Sequence, residues 1–169
     1  GILQVVDKDG FRANVAMVIS DGLGKLFWAK RLGQQAWQFP QGGVSAGESA
    51  EQALYRELYE EVGLESGDVK IIQHTKKWLR YHIPPQMQRK NSKPLCIGQK
   101  QKWFYLQLTG DSAKVRFDAT GTPEFDGWEW VNYWYPIESV VPFKRNVYRN
   151  ALMEFAPANA RFEKRSRGR

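Results

Sequence analysis

The chain has 169 residues, of which 42% are hydrophobic and 25% charged, and it carries a net charge of +7 with one cysteine and two histidines. That balance fits one globular domain able to bury a core, sets aside wholesale disorder, and with only Cys96, His74 and His82 present excludes an intramolecular disulfide and a usual zinc site. No apolar run approaches about 18 residues and no secretion-like start is visible, so a cytoplasmic protein without a membrane partner is expected.

In chain order, residues 14–20 and 25–32 read as strands joined by the hairpin turn Asp21-Gly22-Leu23-Gly24. Residues 37–39 form an extended approach that Pro40 ends. A helix is expected over 49–62, with Gly63 closing it in the left-handed conformation. Residues 69–75 read as a strand, and 81–96, with Pro84, Pro85 and Pro94, as a long surface loop. Strands follow at 102–108 and 128–133, a short helix at 136–140, and a helix at 144–155 with Val147, Ala151, Leu152 and Phe155 at core spacing. No repeat or second domain is visible. The expectation is one domain over 1–156 and a disordered basic tail over 157–169, where Arg161, Lys164, Arg165, Arg167 and Arg169 would attract RNA weakly.

The helix at 49–62 carries the chemistry. At about 100° per residue, Glu57, Glu60 and Glu61 share an arc of about 100°, beside the apolar stripe of Leu54, Leu58 and Val62. Like charges at this spacing repel, and Glu60 and Glu61 lie at the helix end where the dipole disfavours anions. A hard divalent cation, Mg²⁺ or Mn²⁺, would reverse both penalties. From the three glutamates alone, a solvated acidic face is an equally good reading.

The surrounding residues add a pattern. Gly42, then Glu48, then Arg56-Glu57-Leu58-Tyr59-Glu60-Glu61-Val62-Gly63-Leu64 agrees at nine defined positions with the signature of the Nudix hydrolases, which the chain therefore resembles. The resemblance implies an α/β fold, an α/β/α sandwich around a central mixed β-sheet. It also implies a divalent metal held by Glu57, Glu60, Glu61 and the Gly42 carbonyl, with Glu48 and Arg56 as a structural pair inside the motif.

Flanking segments narrow the resemblance. Trp37-Gln38-Phe39-Pro40-Gln41-Gly42-Gly43, Trp78-Leu79-Arg80-Tyr81, Thr122-Pro123-Glu124-Phe125-Asp126-Gly127-Trp128 and Phe143-Lys144-Arg145-Asn146 together look like the bacterial RNA 5′-pyrophosphohydrolase branch of the family. That branch implies Mg²⁺-dependent removal of pyrophosphate or phosphate from triphosphorylated or diphosphorylated RNA 5′ ends, which promotes mRNA decay. Glu124 resembles an added metal ligand or general base, a role also open to Glu60. Arg12, placed just before the first strand, Arg31, Tyr81 and Gln99 resemble phosphate or ribose contacts. Phe143 resembles a base-stacking platform framed by Val141 and Lys144, while Ala36 stands where the branch tends to have a polar side chain. Dinucleoside polyphosphate hydrolases share much of this pattern and remain the alternative, and a catalytically idle RNA-binding module is a third reading.

Charge distribution supports a polyanionic partner. Residues 69–110 contain no acid and nine cations, Lys70, Lys76, Lys77, Arg80, Arg89, Lys90, Lys93, Lys100 and Lys102, interleaved with Trp78, Tyr81, Trp103, Phe104 and Tyr105. A lysine-rich solvated surface over core aromatics is the other reading.

Overall fold

The computed structural model describes residues 5–88 and 95–168. Its centre is strand β1 (Phe11–Ser20), buried along nearly its whole length. Ala16 and Val18 point to one face of the sheet, and Val15, Met17 and Ile19 to the other. A run apolar on both sides suits a strand covered on both faces.

The other strands are β2 (Leu26–Arg31), β3 (Trp37–Gln38), β4 (Gln41–Gly43), β5 (Val69–His74), β6 (Leu79–His82), β7 (Gly98–Leu108) and β8 (Phe125–Val131). The sheet runs β3-β2-β1-β7-β5, with β4 beside β1, β6 beside β7 and β8 beside β2. Among the described residues only β1 and β7 are parallel, in register from Phe11↔Gly98 to Ser20↔Gln107. The sheet is thus mixed. The hairpin turn forms as expected, Asp21 Oδ1 accepting from the Leu23 and Lys25 amides at 2.7 and 3.0 Å.

β1 pairs with β2 at Ser20↔Leu26, while its earlier half takes β4 at Asn14↔Gly43 and Val15↔Gly42. The two partners therefore diverge, and Gly42 lies on the diverging side.

Helices cover both faces. α1 (Ala50–Val62) packs Leu54, Leu58 and Val62 on the Val15–Met17 side. Ser49 and Gln52 cap its start reciprocally, and Gly63 ends it at φ 77°. α3 (Arg145–Arg167) covers the other face, and the short α2 (Tyr135–Ser139) precedes it. This is the α/β/α sandwich expected.

Several expectations are corrected. α3 does not stop near Phe155, and residues 157–167 are not a disordered tail. The helix continues through Pro157, and Ala158, Asn159 and Phe162 are buried. Tyr105 explains this, since its hydroxyl donates to Asn159 Oδ1 at 2.8 Å and its ring lies 6.1 Å from Phe162. Pro157 and Met153, whose carbonyl loses its helical donor, are both exposed, so water can replace that bond. β7 begins at Gly98 rather than 102, held by ten pairs to β1. Tyr81 and His82 belong to β6 rather than to a loop. The remainder of that expected loop includes a single turn of 3₁₀ helix at Pro85–Met87. Arg89, Lys90, Lys93 and Pro94 lie outside the described residues. Cys96 is buried and free, as a small core residue.

Candidate active site

The C-terminal half of α1 brings its carboxylates against β4. Glu57 is buried, and a Cβ added to Gly42 would overlap the Glu57 carboxylate, so only glycine allows this approach. Arg56 anchors the preceding loop. Its Nε donates to Glu48 Oε2 at 2.8 Å and its Nη2 to the Gly43 carbonyl at 2.7 Å. Its Nη1 donates to Glu57 Oε1 at 2.7 Å and Glu60 Oε2 at 3.3 Å. Glu48 and Arg56 thus form a close ion pair, and Arg56 additionally holds two of the glutamates.

Burial raises the Glu57 pKa above its ordinary value, against the pull of Arg56. Glu61 is pushed up to about 8, first by burial and then by repulsion from Glu57, Glu124 and Glu60. Its Oε2 is buried with no hydrogen-bond partner among the described residues. Glu124, 63 positions beyond Glu61, thus lies near enough for its charge to act on Glu61.

These residues fit a hard divalent cation in donor type. The unpartnered Glu61 oxygen and the contact between Gly42 and Glu57 are what such a site needs. Among the described residues no three His, Cys, Asp or Glu side chains are gathered tightly enough to ligate one ion as they stand. Arg56 accounts for part of this, since it holds Glu57 and Glu60 to itself.

Across the sheet lies a row of polar groups. Arg12 is inside β1, not before it, and pairs with Gln99 of β7, which pairs in turn with Tyr81 of β6. Arg12 Nε and Gln99 Oε1 are buried without partners among the described residues. Tyr81 is 5.9 Å from the Phe143 ring, and its hydroxyl pKa is raised by burial to about 12. Lys144 Nζ sits 5.6 Å over the Tyr81 ring. Burial, then Arg31, lowers its pKa to about 8.

Arg31, Ala36, Val141, Phe143 and Lys144 line one cavity of about 350 Å³. Lys30 pairs with Gly127 and Arg31 with Phe125, so the register shift leaves Asp126 as the extra residue of β8, and Arg31 Nη2 lies 3.6 Å from Glu124 Oε1. Arg31 and Glu124 thus join this cavity to the carboxylates. A larger cavity of about 480 Å³, near Trp134 and Tyr135, contains none of the expected site residues.

Sequence reading missed two features. Gln101 Nε2 donates to Asn14 Oδ1 at 2.8 Å and Gln41 Oε1 at 3.1 Å, an amide cluster behind Gly42. Met87 and Gln34 also line the Phe143 cavity. Only the position of Gln41 next to Gly42 offered a signal for the first, and nothing did for the second.

A model of the NUDIX domain matches residues 10–153. The chain belongs to the Nudix family. A Nudix relative from Shewanella denitrificans, named RNA pyrophosphohydrolase, is 56% identical over 165 residues, covering 98% of this chain and 96% of its own. One of the same name from Ectopseudomonas mendocina is 60% identical over 153 residues, covering 90% of this chain and 96% of its own. The Escherichia coli dihydroneopterin triphosphate pyrophosphohydrolase shares the fold with a TM-score of 0.67 at 18% identity, over 91% of this chain and 99% of that one. A Caenorhabditis elegans Ap4A hydrolase does so at 0.58 and 16%, over 86% and 96%.

Proposed function

We propose that this Nudix protein is an RNA pyrophosphohydrolase that converts 5′-triphosphate or 5′-diphosphate RNA ends to monophosphates. The observation that carries this reading is the junction of two sites. A carboxylate group at the end of α1 meets, through Arg31 and Glu124, a cavity built from an aromatic ring and a buried lysine. The first suits a phosphoanhydride and the second a nucleobase. The names of the Shewanella and Ectopseudomonas relatives support the same substrate.

Glu57, Glu60, Glu61 and the Gly42 carbonyl would hold the metal, Mg²⁺ first and Mn²⁺ as a substitute, leaving Glu124 as the base. Bound there, the ion would neutralise phosphate charge and polarise the attacked phosphorus. Arg12, Arg31 and Gln99, each with an unpaired polar atom, would meet phosphate or ribose oxygens together with Tyr81. Phe143 stacks a base, framed by Val141 and Lys144. Ala36 offers that base no hydroxyl. Water adds to phosphorus, the anhydride P–O bond breaks, and pyrophosphate or phosphate leaves. Glu124 takes the water proton, because its carboxylate is exposed and only loosely paired, whereas Glu60 is tied to Arg56. The cytoplasm, where nascent transcripts carry these ends, is the expected place of action, and the product is primed for decay.

Turnover measured side by side on triphosphorylated RNA and on a diadenosine polyphosphate tests the reading. Preference for RNA is expected. Preference for the dinucleotide would transfer the site to small molecules, and no turnover of either with Mg²⁺ or Mn²⁺ would leave only a binding module.

A further inference from the structure

The α1-side face of the sheet carries a second cationic surface that the active site does not use. At its outer edge, where β6 pairs with β7 alone among the described residues, Arg80 lies opposite Lys100. Trp78, just before β6, has Lys100 Nζ and Lys102 Nζ over its ring at 5.4 and 5.5 Å. The Arg80 guanidinium lies 5.5 Å over Phe11. Further along, Lys102, His74 and Phe104 line a groove of about 350 Å³ that reaches the start of α1, where Glu51 is its single acid. Two of these cations have local partners. Lys100 Nζ is 3.0 Å from Asp7 Oδ2, and Lys102 Nζ donates to the Lys76 carbonyl at 3.2 Å. Arg80, Lys76 and Lys77 are exposed.

We propose that this strip, centred on Trp78, Arg80 and Lys102, binds the single-stranded body of an RNA whose 5′ end occupies the active site. The proposal rests on the RNA reading above. Alternating cations and aromatic faces suit a phosphate backbone with unstacked bases and demand no sequence. Continuity with the active site supports it. Gly42 pairs with β1, and Ala13 of β1 pairs with Lys100, so the strip begins two strand spacings, about 10 Å, from the Gly42 strand. An unstacked strand spans more per nucleotide than the ~3.4 Å of a duplex strand, so at most about three nucleotides bridge this gap. β6 joins the two sites, since Tyr81 faces Phe143 on one side of the sheet while Arg80 faces the strip on the other.

The test compares a 5′-triphosphorylated trinucleotide with a 5′-triphosphorylated unstructured 20-mer, in the wild-type protein and in Arg80→Gln/Lys102→Gln. Both replacement side chains are uncharged amides and Trp78 itself is retained, and Trp78→Leu follows as a second variant, with the folding of each checked by circular dichroism. We expect a lower KM for the 20-mer than for the trinucleotide in the wild type. The double variant should lose at least about fivefold of that advantage, and its log KM against log salt slope for the 20-mer should fall by about 1.4, two released contacts on a single strand. Turnover of the trinucleotide should not change. Equal losses on both lengths, or no length dependence in the wild type, would overturn the strip while leaving RNA hydrolysis intact. Absence of RNA turnover in the wild type would instead defeat the functional reading.

Discussion

Glu61 shows why a carboxylate can be destabilising in the protein alone and useful with its ligand. One oxygen is buried without a partner, and three other glutamates repel it. Glu61→Gln and Glu57→Gln should each lower Mg²⁺-supported turnover by more than about a hundredfold, the scale of losing preorganised charge stabilisation. Metal-free Glu61→Gln should unfold at a temperature no lower than the wild type, because repulsion is relieved. Near wild-type turnover in either variant would remove both residues from the metal site. Glu124→Gln distinguishes a different role. If its carboxylate takes the water proton, kcat should fall steeply while RNA affinity, measured in Ca²⁺ to slow turnover, stays within about twofold, since a transition-state interaction alone is lost. An unchanged kcat would return the base to Glu60. Glu57, Glu60 and Glu61 were legible from helical spacing, and Glu124 only through resemblance, because no local pattern links it to residues more than sixty positions earlier.

α1 and α3 represent the two ways in which an element can be read. α1 announces its ends in local residues, Ser49 with Gln52 at one and Gly63 at the other, and its observed limits follow them. The last turns of α3 carry a dense run of cations and a proline, a pattern that reads as solvated tail. Its burial depends on Tyr105, more than fifty residues away, which accepts Phe162 and Asn159 as packing partners. Phe162→Ala should therefore cost about 3 kcal/mol in urea unfolding, in the range of buried aromatic truncations. A free tail would show no change. The loop before α1 makes a pH-dependent contribution. Hydrogen bonds from Arg56 hold the Glu48 pKa down to about 2 from its ordinary 4.5. A depressed acid stabilises above its unfolded value, so this contribution is complete above about pH 4.5 and fades as pH falls toward 2. Glu48→Gln should be less stable at neutral pH and lose less on acidification across that window, measured by urea unfolding at each pH.

The whole molecule carries its +7 charge unevenly, with acids gathered at the end of α1 and cations around the cleft and the β6–β7 edge. Among the described residues no helix is long and apolar enough to cross a membrane. A carboxylate group this crowded should make folding stability metal-dependent. Mg²⁺ at about a hundredfold over its Kd should stabilise the wild type by about 2.7 kcal/mol, read as a rise in Tm. The rise should vanish in Glu57→Gln/Glu61→Gln, and an equal rise there would place the bound ion elsewhere.

The sequence by itself determined what neighbouring residues can encode. It specified helix α1 and its closing Gly63, the first hairpin and the shared arc of Glu57, Glu60 and Glu61, since these depend on spacings of a few residues, while the Glu48–Arg56 pair was implied by the family resemblance. Only the tertiary structure decided that Arg12, Gln99 and Tyr81 form one row, because that row exists through the register of β1, β7 and β6. It alone decided that Arg31 meets Glu124, beside the register shift of β8 against β2, and that β7 starts four residues early against β1. The reason is the same in each case. Strand pairing and burial bring together residues that no periodicity relates, and their partners determine where they end and which way they point.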